Sequence, residues 1–191
     1  MPLSRSSRRA FVAGALAAPA AFAAGRGIAA PEASSSAGTS AEADGVAHGA
    51  ASIRQQVEFS ASPHRVYEAL LDEAQFDKIV RLSAAAAFAT RAGAAPTHID
   101  RKVGGAFSLF GGYITGLQIE LVPDVRVVQA WRAGGWGAGA YSIARFELTP
   151  AGAATRLVLE HRGFPDDQAA HLAAGWHDNY WQPITKFLAQ T

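Results

Sequence analysis

Between His98 and Arg162 the chain breaks into six short runs in which apolar and polar residues alternate, with a turn signal in every gap. The runs are His98 to Val103, Ala106 to Phe110, Tyr113 to Val122, Arg126 to Trp131, Tyr141 to Thr149 and Thr155 to Arg162. Between them stand Gly104-Gly105, Gly111-Gly112, Pro123-Asp124, the glycine-rich stretch 134–139 and Pro150 to Gly152. Alternation of period two marks a strand with one buried face. Gaps this short leave no room for the dozen or more residues that a parallel crossover requires. The expectation is an antiparallel meander joined by hairpin-length turns.

The flanks complete the order of elements. Ile53, Gln55, Val57 and Phe59 alternate with Arg54, Gln56, Glu58 and Ser60, so a first strand ends near Ser60. Ser62 followed by Pro63 reads as an N-cap with proline at the first helical position, and Val66, Tyr67, Leu70 and Leu71 repeat at helical spacing. Asp72 is placed to cap a second short helix carrying Phe76, Ile79 and Val80. An alanine-rich passage through Thr97 carries no element signal. From Asp166 to about Ala189, Leu172, Trp176, Tyr180, Ile184 and Phe187 or Leu188 form one apolar stripe, the mark of a long amphipathic helix that Pro183 is expected to bend or divide. Strand, two short helices, a run of strands and a final long helix make an α+β arrangement, a curved antiparallel sheet wrapped around the C-terminal helix. Such a sheet leaves an internal space.

The N-terminus reads as an address. Arg8, Arg9 and Phe11 lie in the string SRRAFV, ahead of a weakly apolar alanine-rich run that closes on Ala21-Phe22-Ala23. This is the pattern of a twin-arginine signal peptide, residues 1–23, cut after Ala23 or Ala24. It predicts a twin-arginine translocase as transient partner and a periplasmic or secreted destination. Residues 24–50, rich in Ala, Ser and Gly and free of aromatics, read as a disordered linker. Residues 51–191 hold 16 of the 18 aromatics and form the expected domain.

Composition narrows the function. From Ala51 onward 13 basic residues face 13 acidic ones, which gives no basic patch for a nucleic-acid backbone. Cysteine is absent, which removes disulfides, thiolate metal sites and cysteine nucleophiles. Alanine supplies 43 of the 94 apolar residues, so core volume must come from the aromatics and branched side chains. The paired glycines precede strands rather than a helix and lack the dipole that a phosphate cradle uses. His171 and His177 are six apart and miss the spacing of a helical metal pair. No cofactor, metal or nucleic acid is expected. No serine stands in a nucleophile-elbow setting and no carboxylate pair is placed by spacing, so no catalytic residue is assigned.

The strings FSLFGGYITG, LQIELVP, VVQAWR, TRLVLEHRGFP and GWHDNYW, in that order over about residues 51–190, resemble the activator of heat-shock-protein-90 ATPase homologue family. That family sits in the START-like, SRPBCC superfamily. The resemblance implies the helix-grip fold already expected from the order of elements. It implies a cavity, because the wider superfamily holds lipids, hormones and polyketides there. It also raises a co-chaperone-like protein-interaction module, since the namesakes stimulate an ATPase, although they carry a further N-terminal domain where this chain has a linker.

Phe110, Tyr113, Trp131, Phe164, Trp176 and Tyr180 are the aromatic candidates for lining a pocket, with plain core as the alternative. His161 shares the parity of Leu157 and Leu159 and is expected to face the final helix. There an imidazole orients a ligand or serves as general base; the alternative is a buried histidine paired with a neighbour. The sequence reading is therefore an exported domain that binds a small, mainly apolar molecule. Its rivals are a cyclase- or hydrolase-type enzyme using the same cavity, and a protein-interaction module.

Overall fold

A computed structural model describes residues 51–190. The signal-peptide and linker expectations, on residues 1–23 and 24–50, lie outside the described residues.

Seven antiparallel strands form one sheet in the order β1-β7-β6-β5-β4-β3-β2. β1 (Ser52–Phe59) pairs with β7 (Ala154–Arg162), and the chain then steps across through β6 (Ser142–Ala151), β5 (Arg126–Ala133), β4 (Ile114–Val122), β3 (Ala106–Leu109) and β2 (His98–Ile99). The meander is the one the turn signals imply. β2 is shorter than its expected run to Val103 because the chain turns at once: Asp100 donates its N–H back to the Ala106 carbonyl at 3.0 Å, and Gly104 sits at a φ of 80°. β4 carries a bulge between Gln118 and Glu120, which adds local twist to the strand.

The helical boundaries follow the caps. The Ser62 hydroxyl accepts from the Arg65 N–H at 3.3 Å and opens α1 (Pro63–Leu71). Asp72 closes α1 with its own N–H on the Glu68 carbonyl and opens α2 (Glu73–Arg81) by accepting from the Gln75 N–H at 2.8 Å. The alanine-rich passage holds one element that its composition did not signal, the four-residue helix α3 (Ala86–Ala89).

After a 3₁₀ turn at Asp166–Gln168 the C-terminal helix begins as α4 (Ala169–Trp176), widens into a π turn at His177–Trp181 and continues as α5 (Gln182–Leu188). Pro183 lies within α5, and the interruption falls one turn before it. The Gln182 N–H reaches back five residues to the His177 carbonyl, and Pro183 has no N–H to offer, so the hydrogen-bond register changes where one bond is missing in any case. The wide turn has a packing consequence. Residues five apart come into line, and the indoles of Trp176 and Trp181 stack at 5.7 Å and 17°. Trp176, Tyr180 and Trp181 are all buried toward the sheet.

Gln55 of β1 fastens this helix at its widest point. Its amide donates to the Ala173 carbonyl at 2.9 Å, and its oxygen accepts from the Trp181 indole N–H at 2.6 Å. The core thus lies between the inner face of the sheet and the helices, centred on Phe59, Phe146, Leu157, Leu159, Trp176 and Ile184.

Candidate functional site

A cleft of about 410 Å³ opens between the C-terminal helix and the strands β4 and β5. Its inner wall is apolar and largely aromatic: Phe110, Ile114, Trp131, Leu172, Trp176 and Tyr180. Its mouth carries the polar groups His171, Asp178 and Asn179 together with two half-exposed rings, Phe88 at 43% and Tyr113 at 40%. These two rings meet edge to face at 5.8 Å, and the Arg91 guanidinium lies 3.8 Å from the centre of the Phe88 ring. Ala84 and Ala85 form one lip. They are tied to the π turn, Ala85 by its N–H to the Asn179 side-chain oxygen at 2.9 Å and Ala84 by its N–H to the Asp178 carbonyl at 3.3 Å. The glycine-rich loop after β5 contributes no lining residue to the cleft. Arg132 donates to the Trp136 carbonyl, and the Trp136 ring packs on Trp131 at 5.5 Å.

The inner wall is held from behind. Tyr180 is wedged by Phe76 at 5.8 Å, Phe110 at 5.3 Å and Trp176 at 4.3 Å. Phe110 reaches that position only because its backbone takes a left-handed φ of 51°, ahead of Gly111 and Gly112 at 67° and 86°. A bulky residue there is strained, and burial of its ring against Phe76 and Tyr180 offsets the cost.

Two polar atoms of this wall are buried and have no hydrogen-bond partner among the described residues: the Trp131 indole Nε1 and the Tyr180 hydroxyl. Burial drives the Tyr180 pKa well above that of an ordinary phenol, so the group stays protonated. The neighbouring Trp131 N–H opposes that rise but does not align into a hydrogen bond. Buried polar groups are paired in the great majority of cases, so two such orphans on neighbouring rings of one wall stand out.

The structure places five of the seven sequence candidates, Phe110, Tyr113, Trp131, Trp176 and Tyr180, on the cleft. His161 and Phe164 are not among its lining residues. They lie behind it, with the imidazole 5.1 Å from the Trp131 ring, 5.5 Å from Trp176 and 4.9 Å from Phe164. His161 is fully buried and both of its nitrogens are committed. The Trp176 indole donates to Nδ1 at 3.0 Å, so Nε2 carries the proton and donates to the Ser142 oxygen at 2.7 Å, and the Ser142 hydroxyl donates to the Trp131 carbonyl at 2.9 Å. Burial pushes the imidazole down to about 4 from its ordinary 6.5. This relay orients Trp131 and Trp176 and presents neither nitrogen to the cleft.

Two contributors lie outside the sequence expectations. Phe88 was a lone aromatic in an alanine run, and that isolation was the available signal. Ser142 shares the inward parity of Ala144 and Phe146, where a small hydroxyl among core positions marks a buried partner.

Residues 60–189 match the family model described as Activator of Hsp90 ATPase homolog 1-like protein. Activator of 90 kDa heat shock protein ATPase homolog 2 from Mus musculus is 27% identical over 96 residues, which are 50% of this chain and 29% of that protein. The human homolog 1 is 28% identical over 90 residues, 47% of this chain and 27% of that one. The chain therefore spans under a third of the length of these curated relatives. Among solved structures, an HSP90 activator from Plasmodium falciparum superposes with a TM-score of 0.62 at 25% identity, covering 72% of this chain and 96% of the other. CalU16 from Micromonospora echinospora gives 0.57 at 21% identity over 73% and 77% of the two chains, a likeness of fold alone.

Proposed function

The chain belongs to the Activator of Hsp90 ATPase homolog 1-like family, and from that premise we propose that its helix-grip domain is a receptor for a small, mainly apolar molecule. The observation that carries this is the cleft itself. Its volume of about 410 Å³ falls within the usual size of small-molecule sites, and an apolar aromatic interior with a few polar groups is their usual lining. Among the described residues, no serine, threonine, cysteine or lysine lines the cleft to serve as a nucleophile; His171 stands at its exposed mouth, and the His161 imidazole is taken up in the relay behind the wall.

Gly175 offers a clean test. It lines the cleft, and a Cβ built on it meets no atom within 4 Å, so leucine at this helical position intrudes on the cleft without disturbing the core. The neutral fluorescent probe N-phenyl-1-naphthylamine should bind the wild-type domain saturably at one site. Gly175→Leu should weaken that binding at least tenfold while the protein keeps its melting temperature. Absence of saturable binding to the wild type removes the receptor reading.

A second reading is favoured by the relatives' names and by an apolar row on the outer face of the sheet. Leu117, Ala130 and Ile143 are neighbours across β4, β5 and β6, and Leu117 and Ile143 are more than 40% exposed. On that reading the domain contacts an ATP-driven chaperone. Stimulation of a purified 90 kDa heat shock protein's ATPase, with no probe binding in the cleft, would put it first.

We further propose that residues 1–23 direct export by the twin-arginine route, on the strength of Arg8, Arg9 and Phe11. Arg8→Lys with Arg9→Lys should hold the full-length protein in the cytoplasm, whereas the unaltered chain should be recovered outside it beginning at Ala24 or Gly25. Equal distribution of the two forms would overturn the export reading.

A further inference from the structure

We infer that the mouth of the cleft is also a membrane-docking face, on which an uncharged rim around Phe88 and Tyr113 rests in the headgroup region of a phospholipid bilayer and the Arg91 guanidinium meets a lipid phosphate. Residues 83–97, 110–118 and 133–142 carry one charged side chain among them, that of Arg91, while the domain from Ala51 onward carries 13 basic and 13 acidic residues. The fold brings these three segments together. Phe88 meets Tyr113 edge to face at 5.8 Å, a Cβ on Gly111 would stand 3.1 Å from the Ala94 Cβ, and one on Gly134 would stand 3.2 Å from Tyr113 Cδ2. Ala87, Phe88, Ala92, Tyr113 and Gly135 are all exposed there.

The composition selects the partner. Exposed apolar patches mark contacts with proteins or membranes. Protein interfaces are depleted of alanine and depend on large anchoring side chains, whereas this rim is mostly alanine and glycine around two rings. Small uncharged residues lose little on leaving bulk water for the headgroup zone, where half-exposed aromatic rings are favoured. Arg91 supplies the matching charge. It is exposed, its guanidinium lies 3.8 Å from the Phe88 ring centre and donates to the Phe88 carbonyl at 3.2 Å, and it has no carboxylate partner among the described residues. Asp178, the acidic group of the mouth, is held by His177 at 2.8 Å on the helical side. A mouth docked in this way opens into the phase where an apolar ligand collects. Docking still stands apart from the receptor reading, since vesicles report on the rim and a soluble probe on the interior.

The chain has no cysteine, so the full-length protein can be labelled with the environment-sensitive dye NBD at one introduced thiol. Ala87→Cys and Gly135→Cys place it on the rim, and Ala153→Cys places it on the exposed turn between β6 and β7 at the far end of the sheet. On addition of phosphatidylcholine vesicles containing about one-third phosphatidylglycerol, emission from the two rim positions should shift to the blue and rise, while that from Ala153→Cys should stay unchanged. Read at Gly135→Cys, Arg91→Gln and Ala87→Glu should each weaken vesicle binding about fivefold, the effect of one charge at an anionic surface. Ala87 lines no part of the cleft, so Ala87→Glu should keep the binding of N-phenyl-1-naphthylamine measured without vesicles. A shift at all three positions, or at none, overturns docking by this rim and leaves the receptor reading to its own probe. Unchanged vesicle affinity in either charge variant overturns it as well. A shift at the rim positions with purified 90 kDa heat shock protein and not with vesicles would assign the rim to a protein partner and overturn it.

Discussion

Gly116→Ala is expected to destabilise the domain by about 3 kcal/mol or more, among the largest effects of any single methyl addition in this chain. Gly116 lies on the inner face of β4, paired with Phe107 of β3 on one side and Trp131 of β5 on the other. A Cβ at that position would stand 2.0 Å from the Ala130 carbonyl oxygen, 2.4 Å from Phe107 Cζ and 2.7 Å from Phe107 Cε1. The first of these contacts is with backbone on the neighbouring strand, which a side-chain rotation cannot relieve. β4 and β5 must separate locally, and the Phe107 ring, buried where the missing side chain would be, must leave its place. Because Trp131 sits opposite Gly116, the same movement shifts the inner wall of the cleft. Chemical denaturation of the two proteins should show a lowered midpoint at unchanged slope, together with weaker probe binding at temperatures where the variant is still folded. Gly135→Ala is the control, since a Cβ there meets nothing within 4 Å and its φ lies outside the left-handed region; it should fall within about 0.5 kcal/mol of wild type. Equal stability of Gly116→Ala and wild type would mean that β3, β4 and β5 do not approach as described.

The glycines of the sheet divide into those a local pattern explains and one that it does not. The glycine pairs at 104–105 and 111–112 interrupt alternating runs and announce turns, so the order of strands follows from local chemistry. Gly116 sits inside a run, and its reason for being glycine is a ring from the neighbouring strand, which no local pattern records. The C-terminal helix divides in the same way. Its stripe of Leu172, Trp176, Tyr180 and Ile184 was legible at a period of 3.6. Trp181 was off the stripe at that period and is buried because the π turn brings residues five apart into line. Pro183 marked the neighbourhood of an irregularity without giving its kind.

For the site, parity and the helix stripe carried most of the lining, since a pocket in this architecture is core left partly unfilled. His161 shows the limit of parity. Parity points it toward the final helix, and it faces that helix, but facing a helix is compatible with two outcomes. The Trp176 indole takes one nitrogen and Ser142 takes the other, so the imidazole is used up in fixing the wall and does not enter the cleft. Only the partners distinguish a histidine that works on a ligand from one that positions the residues that do, and those partners come from elements 15 and 19 residues away in sequence.

That placement gives His161 a measurable effect on stability. In the unfolded chain its imidazole titrates near the ordinary 6.5; in the folded protein burial lowers it to about 4. Above about pH 7 neither state binds a proton there, and the residue contributes no pH dependence. Between about 6.5 and 4 the unfolded chain binds a proton that the folded protein excludes, so stability falls as the pH falls. Below about 4 both states are protonated and this contribution levels off. The difference between the two values corresponds to about 3 kcal/mol lost across the window. The cause is structural as well as dielectric, for a protonated Nδ1 could no longer accept from the Trp176 indole. His161→Gln isolates the effect. A glutamine amide can accept from Trp176 and donate to Ser142 without titrating, and the carboxylates that also titrate in this range are common to both proteins. Urea unfolding at pH 7 and pH 4 should therefore show wild type losing about 3 kcal/mol more than His161→Gln over the interval, whatever the variant's stability at neutral pH. The same loss in both proteins would mean that the imidazole is not held neutral, and that the relay from Trp176 through His161 and Ser142 to Trp131 is not the support of the cleft wall.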